Sequence, residues 1–177
     1  LDGAIESAQG TIGNFRSTDQ IGVWAFTTDV ESKLGKNVLP VREFGPLGND
    51  SETIGDSLND LRYADRNGTP LNDSIALSYD YMSKQAESGR INAIVVLSDG
   101  ADEGSDMSLN SLLTKLQSSG QAEGGKNNQV RIFTIAYGEG ANKEELSKIS
   151  EATGGQMFDA SDPERIEEVF ESVINNF

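Results

Sequence analysis

Short β-rich apolar segments alternate with segments of helical periodicity along most of this chain. Three segments have the composition of buried strands: Ile21–Thr28, Ile91–Ser98 and Val130–Tyr137. Within the second, the run from Ile94 to Leu97 is continuously apolar, as expected of a strand covered on both faces in a parallel sheet. Two weaker candidate strands are Gln156–Asp159, at the end of the sheet, and Arg42–Phe44, a short edge strand between Pro40 and Pro46.

The segments between the strands repeat apolar residues every three or four positions, which is the spacing of a helix that buries one face. The predicted helices are Ile5–Phe15, Ser51–Tyr63, Leu71–Met82, Leu109–Leu116 and Ile166–Phe177. Thr69 suits the N-cap of the third, with Pro70 at its first position. The polar, glycine-rich stretch Gly120–Asn128 is typical of a surface loop. Alternating strands and helices predict one three-layer α/β domain over residues 1–177, with a parallel sheet and helices on both of its faces.

Composition narrows the chemistry that such a domain can perform. Fourteen basic residues against 29 acidic ones give a net charge of −15. This charge excludes binding to nucleic acid, which depends on cationic side chains, and disfavours anionic lipid. No apolar stretch approaches the roughly 20 residues that cross a bilayer, so we expect no direct membrane insertion. The start at Leu1, without an initiator methionine or a signal sequence, suggests a piece of a longer polypeptide.

Histidine and cysteine are both absent from the 177 residues. Their absence excludes disulfides, thiol nucleophiles and the catalytic arrangements that use histidine as the general base. No S-x-x-K and no P-loop is present, so we expect no enzyme. The available metal ligands are oxygen atoms, which favour hard cations such as Mg²⁺, Ca²⁺ or Mn²⁺.

Two residues are candidates for chemistry: Asp99, beyond the carboxyl end of a strand, where a parallel sheet binds ligands, and Thr69, in a tight turn that leads into the Leu71–Met82 helix. Asp99 follows the Ile91–Ser98 strand and precedes a glycine, so its carboxylate either caps the next turn or holds a cation or a metal-bound water. Thr69 either caps the following helix or points its hydroxyl at a metal. The two roles of Thr69 are compatible, because a hydroxyl oxygen has two lone pairs.

Four motifs, in order along the chain, make the sequence resemble the von Willebrand factor type A family: NGTPLNDSI from Asn67, AIVVLSDG from Ala93, VRIFTIAYG from Val130 and EATGGQMFDA from Glu151. The resemblance implies a three-layer α/β/α fold with a doubly wound, mostly parallel sheet. It also implies a non-catalytic interaction module with a metal-ion-dependent adhesion site at the carboxyl edge of that sheet. Thr69 would supply a hydroxyl ligand and Asp99 a carboxylate that acts through water. The ion would be Mg²⁺, or Mn²⁺ or Ca²⁺, and an acidic side chain of a protein partner would complete its coordination.

One departure from the family pattern concerns the D-x-S-x-S motif, which is absent from the sequence. The resemblance places this motif after a central first strand, between the Ile21–Thr28 and Ile91–Ser98 strands. Leu1–Phe15 would match the helix that follows it. We therefore expect the strand and its loop to be missing from this chain, the site to be incomplete, and metal binding by this chain alone to be weak or absent. Upstream residues, or another chain through strand donation or dimerisation, would fill the slot.

The resemblance leaves two cellular settings open. The Asp99–Glu103 loop and the Asp159–Pro163 ending are most similar to type A domains attached to bacterial extracellular solute-binding proteins. That similarity implies a domain of a longer protein outside the cell, in the periplasm or at the cell surface. The alternative is a cytosolic type A subunit that partners a ring-forming ATPase such as magnesium chelatase, in which case another chain would carry the P-loop.

Overall fold

The strands of the computed structural model form two hydrogen-bonded sheets. The structure describes residues 5–6, 9–10, 12–13, 15–48, 51–60, 68–120, 129–162, 168–169 and 171–172. The strands are β1 (Gln20–Ser32), β2 (Gly35–Pro46), β3 (Asn92–Ser98), β4 (Val130–Tyr137) and β5 (Met157–Ala160). The helices are α1 (Ser51–Asp60), α2 (Leu71–Gln85), α3 (Leu109–Gly120) and α4 (Lys143–Glu151).

The second sheet is parallel and has the order β3-β4-β5. Its central strand, β4, is buried on both faces because side chains alternate across a strand. Ile132 and Ala136 pack into one apolar cluster with α2, α3 and α4. Phe133 and Ile135 pack on the opposite face with Val169. This arrangement confirms the predicted α/β class, with helices covering the parallel strands on both sides.

The first sheet is an antiparallel hairpin of β1 and β2. The expectation of a short edge strand at Arg42–Phe44 is wrong in extent, because β2 has 12 residues and runs through Pro40. Pro40 lies opposite Trp24. Proline is tolerated there because β2 pairs on one side only, so a missing N–H leaves no gap in a central ladder. The pairing of β1 with β2 could not be predicted from the local sequence pattern. Apolar and polar residues do not alternate regularly along β2, and the pairing contains register shifts.

The two sheets lie side by side under α2. Tyr81 of α2 makes edge-to-face contacts with Trp24 and Phe44 of the hairpin, at ring-centroid distances of 4.9 and 6.2 Å. Ile75 and Tyr79 of the same helix pack in the cluster that contains Val96 of β3. Within the described part of the chain, no strand pairing joins β1 to β3.

Contacts at both ends of β1 show that it runs parallel to β3. Near its start, Gln20 Nε2 donates a hydrogen bond of 3.1 Å to Glu87, which precedes β3. Further along, the methyl group of Thr28 lies against Gly68 and Gly104, so close that a Cβ at either glycine would lie 2.7 Å from it. Gly104 follows the carboxyl end of β3. Both strands therefore point toward the same edge of the molecule.

The remaining sequence predictions have different outcomes. The helices at Ser51, Leu71 and Leu109 and the strand after Gln156 are confirmed, with end points shifted by one to four residues. Residues 61–63, the predicted end of the first of these helices, lie outside the described residues. Ile5 and Ile12 of the first predicted helix are helical and pack with Ile54 of α1. Most of the last predicted helix, the 121–128 part of the predicted loop and Asn67 lie outside the described residues.

Gly155 tests the packing of the loop between α4 and β5 against β4. A Cβ at this position would lie 1.9 Å from the carbonyl oxygen of Ile132. We expect Gly155→Ala to lower the free energy of unfolding by about 2 kcal/mol or more, because backbone would have to move on both sides. Gly10→Ala is the control, since it meets nothing within 4 Å. Equal urea midpoints for both variants would contradict the packing.

Candidate functional site

Two backbone hydrogen bonds join the loop that carries Thr69 to the loop that follows Asp99. The Thr69 N–H donates to the carbonyl of Glu103 at 2.9 Å, and the Glu103 N–H donates to the carbonyl of Thr69 at 2.8 Å. This reciprocal pair is an isolated antiparallel bridge. It brings together the two loops that the sequence marked as candidates, although they are about 30 residues apart in the chain.

The amino end of α2 is capped from the other loop. The structure places Pro70, not Thr69, at the N-cap position, with no side-chain hydrogen bond from it. The prediction that Thr69 is the N-cap is therefore wrong by one residue. Asp102 takes over the function, because its Oδ1 accepts the Asn72 N–H at 3.0 Å. A carboxylate at this position satisfies an otherwise unpaired donor and interacts favourably with the helix dipole.

A second carboxylate, Asp73, fixes the rest of the loop to α2. Its two oxygens accept the backbone N–H groups of Asp106 and Met107 at 2.8 and 2.9 Å. In return, the Asp73 N–H donates to the hydroxyl of Ser105 at 3.1 Å. The first turn of α2 and the loop after β3 are thus tied to each other in both directions, which holds the edge in one conformation.

The Asp99 side chain is exposed at the exit of β3. The turn beside it is closed by Ser98, whose hydroxyl donates to the Gly100 carbonyl at 3.1 Å. Among the described residues, no hydrogen bond or ion pair to the Asp99 carboxylate is formed. The turn-capping role considered for Asp99 is therefore performed by its neighbour, and its carboxylate faces solvent.

Close contacts fix the backbone around Asp99. A Cβ at Gly140 would lie 2.7 Å from the Asp99 carbonyl oxygen, so the loop after β4 packs directly behind the loop after β3. On the other side, the Thr69 hydroxyl oxygen lies 3.6 Å from the position that a Cβ would occupy on Gly100. Thr69 and the residue that follows Asp99 are therefore neighbours at the carboxyl edge.

The oxygens at this edge are of the types that Mg²⁺ and Mn²⁺ accept, a hydroxyl and a carboxylate. Two protein oxygens are fewer than the near-octahedral set that Mg²⁺ requires. No three or more Asp or Glu side chains in the described ranges are grouped so that they could hold a metal ion. Thr69 and Asp99 fit as part of a metal site, and they do not form one by themselves.

A concavity of about 340 Å³ lies beside these loops, between α2, the loop after β3 and α4. We call it the acidic concavity. Its polar lining comes from Asn72, Asp102, Ser105, Asp106, Ser108 and Glu145. Asn72 is 3% exposed, and its Oδ1 has no hydrogen-bond partner.

Asp159, at the end of β5, is the carboxylate with the strongest electrostatic perturbation near this edge. Its pKa lies far below the usual range, first because of the hydrogen bond from Lys143 and then because of those from Ser161. The Lys143 Nζ lies 2.8 Å from Asp159 Oδ2. Because the pKa of Asp159 is lower in the folded state than in the unfolded state, its ionisation stabilises the fold at any pH above the unfolded-state pKa. This stabilisation is lost as the pH falls through the folded-state pKa. The pair is solvent-exposed, so its contribution is small.

A family model for the von Willebrand factor type A domain matches residues 2–172. The chain belongs to the von Willebrand factor type A family. No curated protein matches the sequence. The resemblance inferred from the four motifs is thereby confirmed, and the doubly wound α/β class with it.

Solved structures share the fold of this type A domain at low sequence identity. A von Willebrand factor type A protein from Catenulispora acidiphila aligns with 97% of the chain, with a TM-score of 0.73 and 21% identity. Proximal thread matrix protein 1 from the mussel byssus, with a zinc-occupied MIDAS motif, aligns with 98% of the chain, with a TM-score of 0.69 and 15% identity. The pilus adhesin SpaC from Lactobacillus rhamnosus GG aligns with 99% of the chain, with a TM-score of 0.68 and 11% identity. The chain spans 36%, 41% and 28% of these three structures.

Thr69 and Asp99 stay predictions as metal ligands, although the type A domain brings their loops together. Sequence reasoning missed the capping role of Asp102. No local signal marks it, because the helix that it caps lies 30 residues earlier. In the described part of the chain, no helix has the length and apolar character needed to cross a membrane.

Asp102 and Asp99 should respond differently to truncation. We expect Asp102→Ala to lower the free energy of unfolding by about 1 kcal/mol, because it removes the cap of α2. Asp99→Ala should change it by less than about 0.5 kcal/mol, since the exposed carboxylate supports no described contact. Urea denaturation of the two variants and the parent measures both effects. An equal loss in the two variants would contradict the assigned roles.

Proposed function

We propose that this type A domain is a non-catalytic protein-binding module that recognises an acidic side chain through a divalent cation at the carboxyl edge of its sheet. The observation that carries the proposal is the reciprocal hydrogen bonding between Thr69 and Glu103, which holds the Thr69 hydroxyl beside the loop of Asp99. A cation there would supply positive charge to a surface that is otherwise strongly negative. Mg²⁺ is the proposed ion, with Mn²⁺ or Ca²⁺ as substitutes.

The composition supports binding in preference to catalysis. With no histidine and no cysteine in the chain, general base and nucleophile roles would fall to carboxylates or to hydroxyl and amine groups. The Asp102 carboxylate caps α2 and the Asp73 carboxylate holds the neighbouring loop. Both carboxylates have positions fixed by structural hydrogen bonds, which supports a rigid recognition edge.

We further propose that the domain belongs to a longer bacterial protein and acts outside the cell, in the periplasm or at the cell surface. The fold is shared with a bacterial pilus adhesin and with a type A protein from Catenulispora acidiphila. The absence of cysteine is compatible with export. An upstream secretion signal in the natural protein would separate this setting from that of a cytosolic partner of a ring ATPase.

In our proposal a further strand that ends in a D-x-S-x-S loop completes the metal site; this motif does not occur in the sequence. The strand would lie between β1 and β3, which run in the same direction under α2. Val95, in the middle of β3, is 40% exposed although its neighbours Ile94 and Val96 belong to the apolar core. β3 pairs with β4 on one edge, and its other edge has no strand partner among the described residues. An open edge of this kind is a template for pairing with a further strand, from upstream residues or from another chain.

Metal-dependent melting tests the two ligands. In a polypeptide where a strand ending in D-x-S-x-S precedes Leu1, saturating Mn²⁺ should raise the stability by about 2.7 kcal/mol at 100 times the dissociation constant. Thr69→Ala and Asp99→Ala should each abolish this rise, because each removes a ligand. Thr114→Ala and Asp80→Ala, on the outer faces of α3 and α2, should retain it. A Mn²⁺ response that survives in both ligand variants would refute the assignment.

Gel filtration and thermal melting of residues 1–177 test the open edge of β3. We expect concentration-dependent association, because the unpaired backbone groups of an apolar strand pair with any strand available. Val95→Lys should shift the chain toward monomer by placing a charge at the centre of the edge. Ile91→Lys is the matched control, since Ile91 is 59% exposed but precedes the strand. A monomer of high thermal stability at every concentration would contradict the proposal.

A further inference from the structure

A wide bulge interrupts the pairing of β1 with β2. Between two ladder pairs, four residues of β1 (27–30) stand opposite one residue of β2, Asn37. Asp29 in the bulge and Asn37 opposite it have φ angles of 62° and 66°, in the left-handed region that residues with a side chain adopt at a cost. Asn37 is 1% exposed, so packing holds the bend. Bulges of this kind re-aim a side chain and are frequent beside functional sites.

The Thr28 side chain, inside this bulge, contacts both loops of the candidate site. A Cβ at Gly68 would lie 2.7 Å from the Thr28 methyl carbon, and so would a Cβ at Gly104. Gly68 directly precedes Thr69, and Gly104 directly follows Glu103. The methyl group therefore packs beside the two residues whose reciprocal hydrogen bonds join the loops.

Neither loop has a side chain of its own at this contact. The φ angles of Gly68 and Gly104 are 66° and 94°, so both positions favour glycine for their backbone conformation as well as for lack of space. The loops approach each other across positions without a Cβ, and the Thr28 methyl group supplies the packing that glycine cannot.

The bridge that this contact supports is short. It consists of two backbone hydrogen bonds between Thr69 and Glu103, of 2.9 and 2.8 Å, and it is isolated from every strand. An isolated pair opens locally more easily than one inside a ladder, so the packing against it determines how often it opens. Asp73 and Asp102 tie the loop after β3 to α2 from one side. Thr28 is the contact from the hairpin.

We propose that Thr28 is a positioning residue of the candidate site, whose methyl group keeps the bridge between Thr69 and Glu103 closed and thereby holds the Thr69 hydroxyl beside the loop of Asp99. The inference rests on the proposed function for what that hydroxyl does, which is to bind the cation. The contact itself forms within this chain and needs no metal, so its effect on the bridge is measurable separately.

Amide hydrogen exchange of the full 177-residue chain in EDTA, followed by NMR, tests the contact with two variants. Thr28→Ser removes the methyl group and keeps the hydroxyl, whereas Thr28→Val keeps a methyl group in that place and removes the hydroxyl. Thr28→Ser should speed exchange of the Thr69 and Glu103 amides by about three- to tenfold, as expected from the loss of one packed methyl group. Thr28→Val should leave both rates within about twofold. Equal rates in the two variants would overturn the proposal.

A control variant separates this local effect from a general loss of stability. Val41 of β2 packs in the cluster of Ile12 and Ile54, away from both loops. Val41→Ala should lower the urea midpoint without speeding exchange at the bridge more than at the Ile135 amide of β4, which reports global unfolding. Thr28→Ser should affect the bridge amides more than Ile135. The same relative change in both variants would overturn the assigned role.

Gly104→Ala approaches the same contact from the loop. Its added Cβ would meet the Thr28 methyl group, and exchange of the Thr69 amide should become faster. In the double variant with Thr28→Ser the collision is absent, so the exchange rate should be at least about threefold slower than the two single effects predict together. Additive effects would overturn the contact. If Gly104→Ala does not fold, the two Thr28 variants decide the outcome.

The consequence for the metal site is measured in the polypeptide in which a strand ending in D-x-S-x-S precedes Leu1. Thr28→Ser should weaken Mn²⁺ by about three- to tenfold in metal-dependent melting, while Thr28→Val and Val41→Ala should stay within about twofold of the parent. Unchanged Mn²⁺ affinity in Thr28→Ser would overturn the positioning role. A parent without any Mn²⁺ response would defeat the metal proposal alone, because the exchange experiments in EDTA decide the contact independently.

Discussion

The packing of α2 across both sheets is the contact on which the rest of this type A domain depends. No described strand pairing links the hairpin to the parallel sheet, so the helix supplies the link. Tyr81 packs against the hairpin, and Ile75 and Tyr79 pack over β3. Burial of large apolar side chains on one rigid element therefore fixes the position of β1 beside β3, where backbone hydrogen bonds would normally do so.

The same helix determines the recognition edge. Its amino end receives the Asp102 carboxylate, and its first turn returns hydrogen bonds to the loop after β3 through Asp73. The bridge between Thr69 and Glu103 then places the two loops in register. Asp99 remains exposed within this braced frame. Asp102 and Asp73 hold the loops at this edge in place, and the Asp99 carboxylate stays exposed to solvent. Such a rigid arrangement suits the proposed binding of a cation, which would in turn bind an acidic side chain of the partner.

The open edge and the acidic concavity give the carboxyl side of the sheet two further surfaces for interaction. The edge of β3 offers unpaired backbone groups flanked by apolar side chains, which select an extended strand. The concavity is lined by acidic and other polar side chains, of which Asp102 accepts hydrogen bonds from Asn72 and Ser105 and Asp106 pairs with Lys36. These surfaces differ in chemistry, so one partner segment could satisfy both only if it combined an apolar strand with charged residues beyond its end.

The sequence by itself determined the parallel strands and most helices, because β3 and β4 are short segments rich in apolar and β-branched residues and the helices repeat apolar residues at their own period. It also marked Asp99, since this residue follows a predicted parallel strand, and Thr69, since it lies in the tight turn before a predicted helix. Tertiary structure alone decided the long hairpin, the cap of α2 by Asp102 and the burial of the Asn72 Oδ1 without a hydrogen-bond partner. Each of these depends on contacts between segments distant in the chain, whose register and distance a local pattern does not contain.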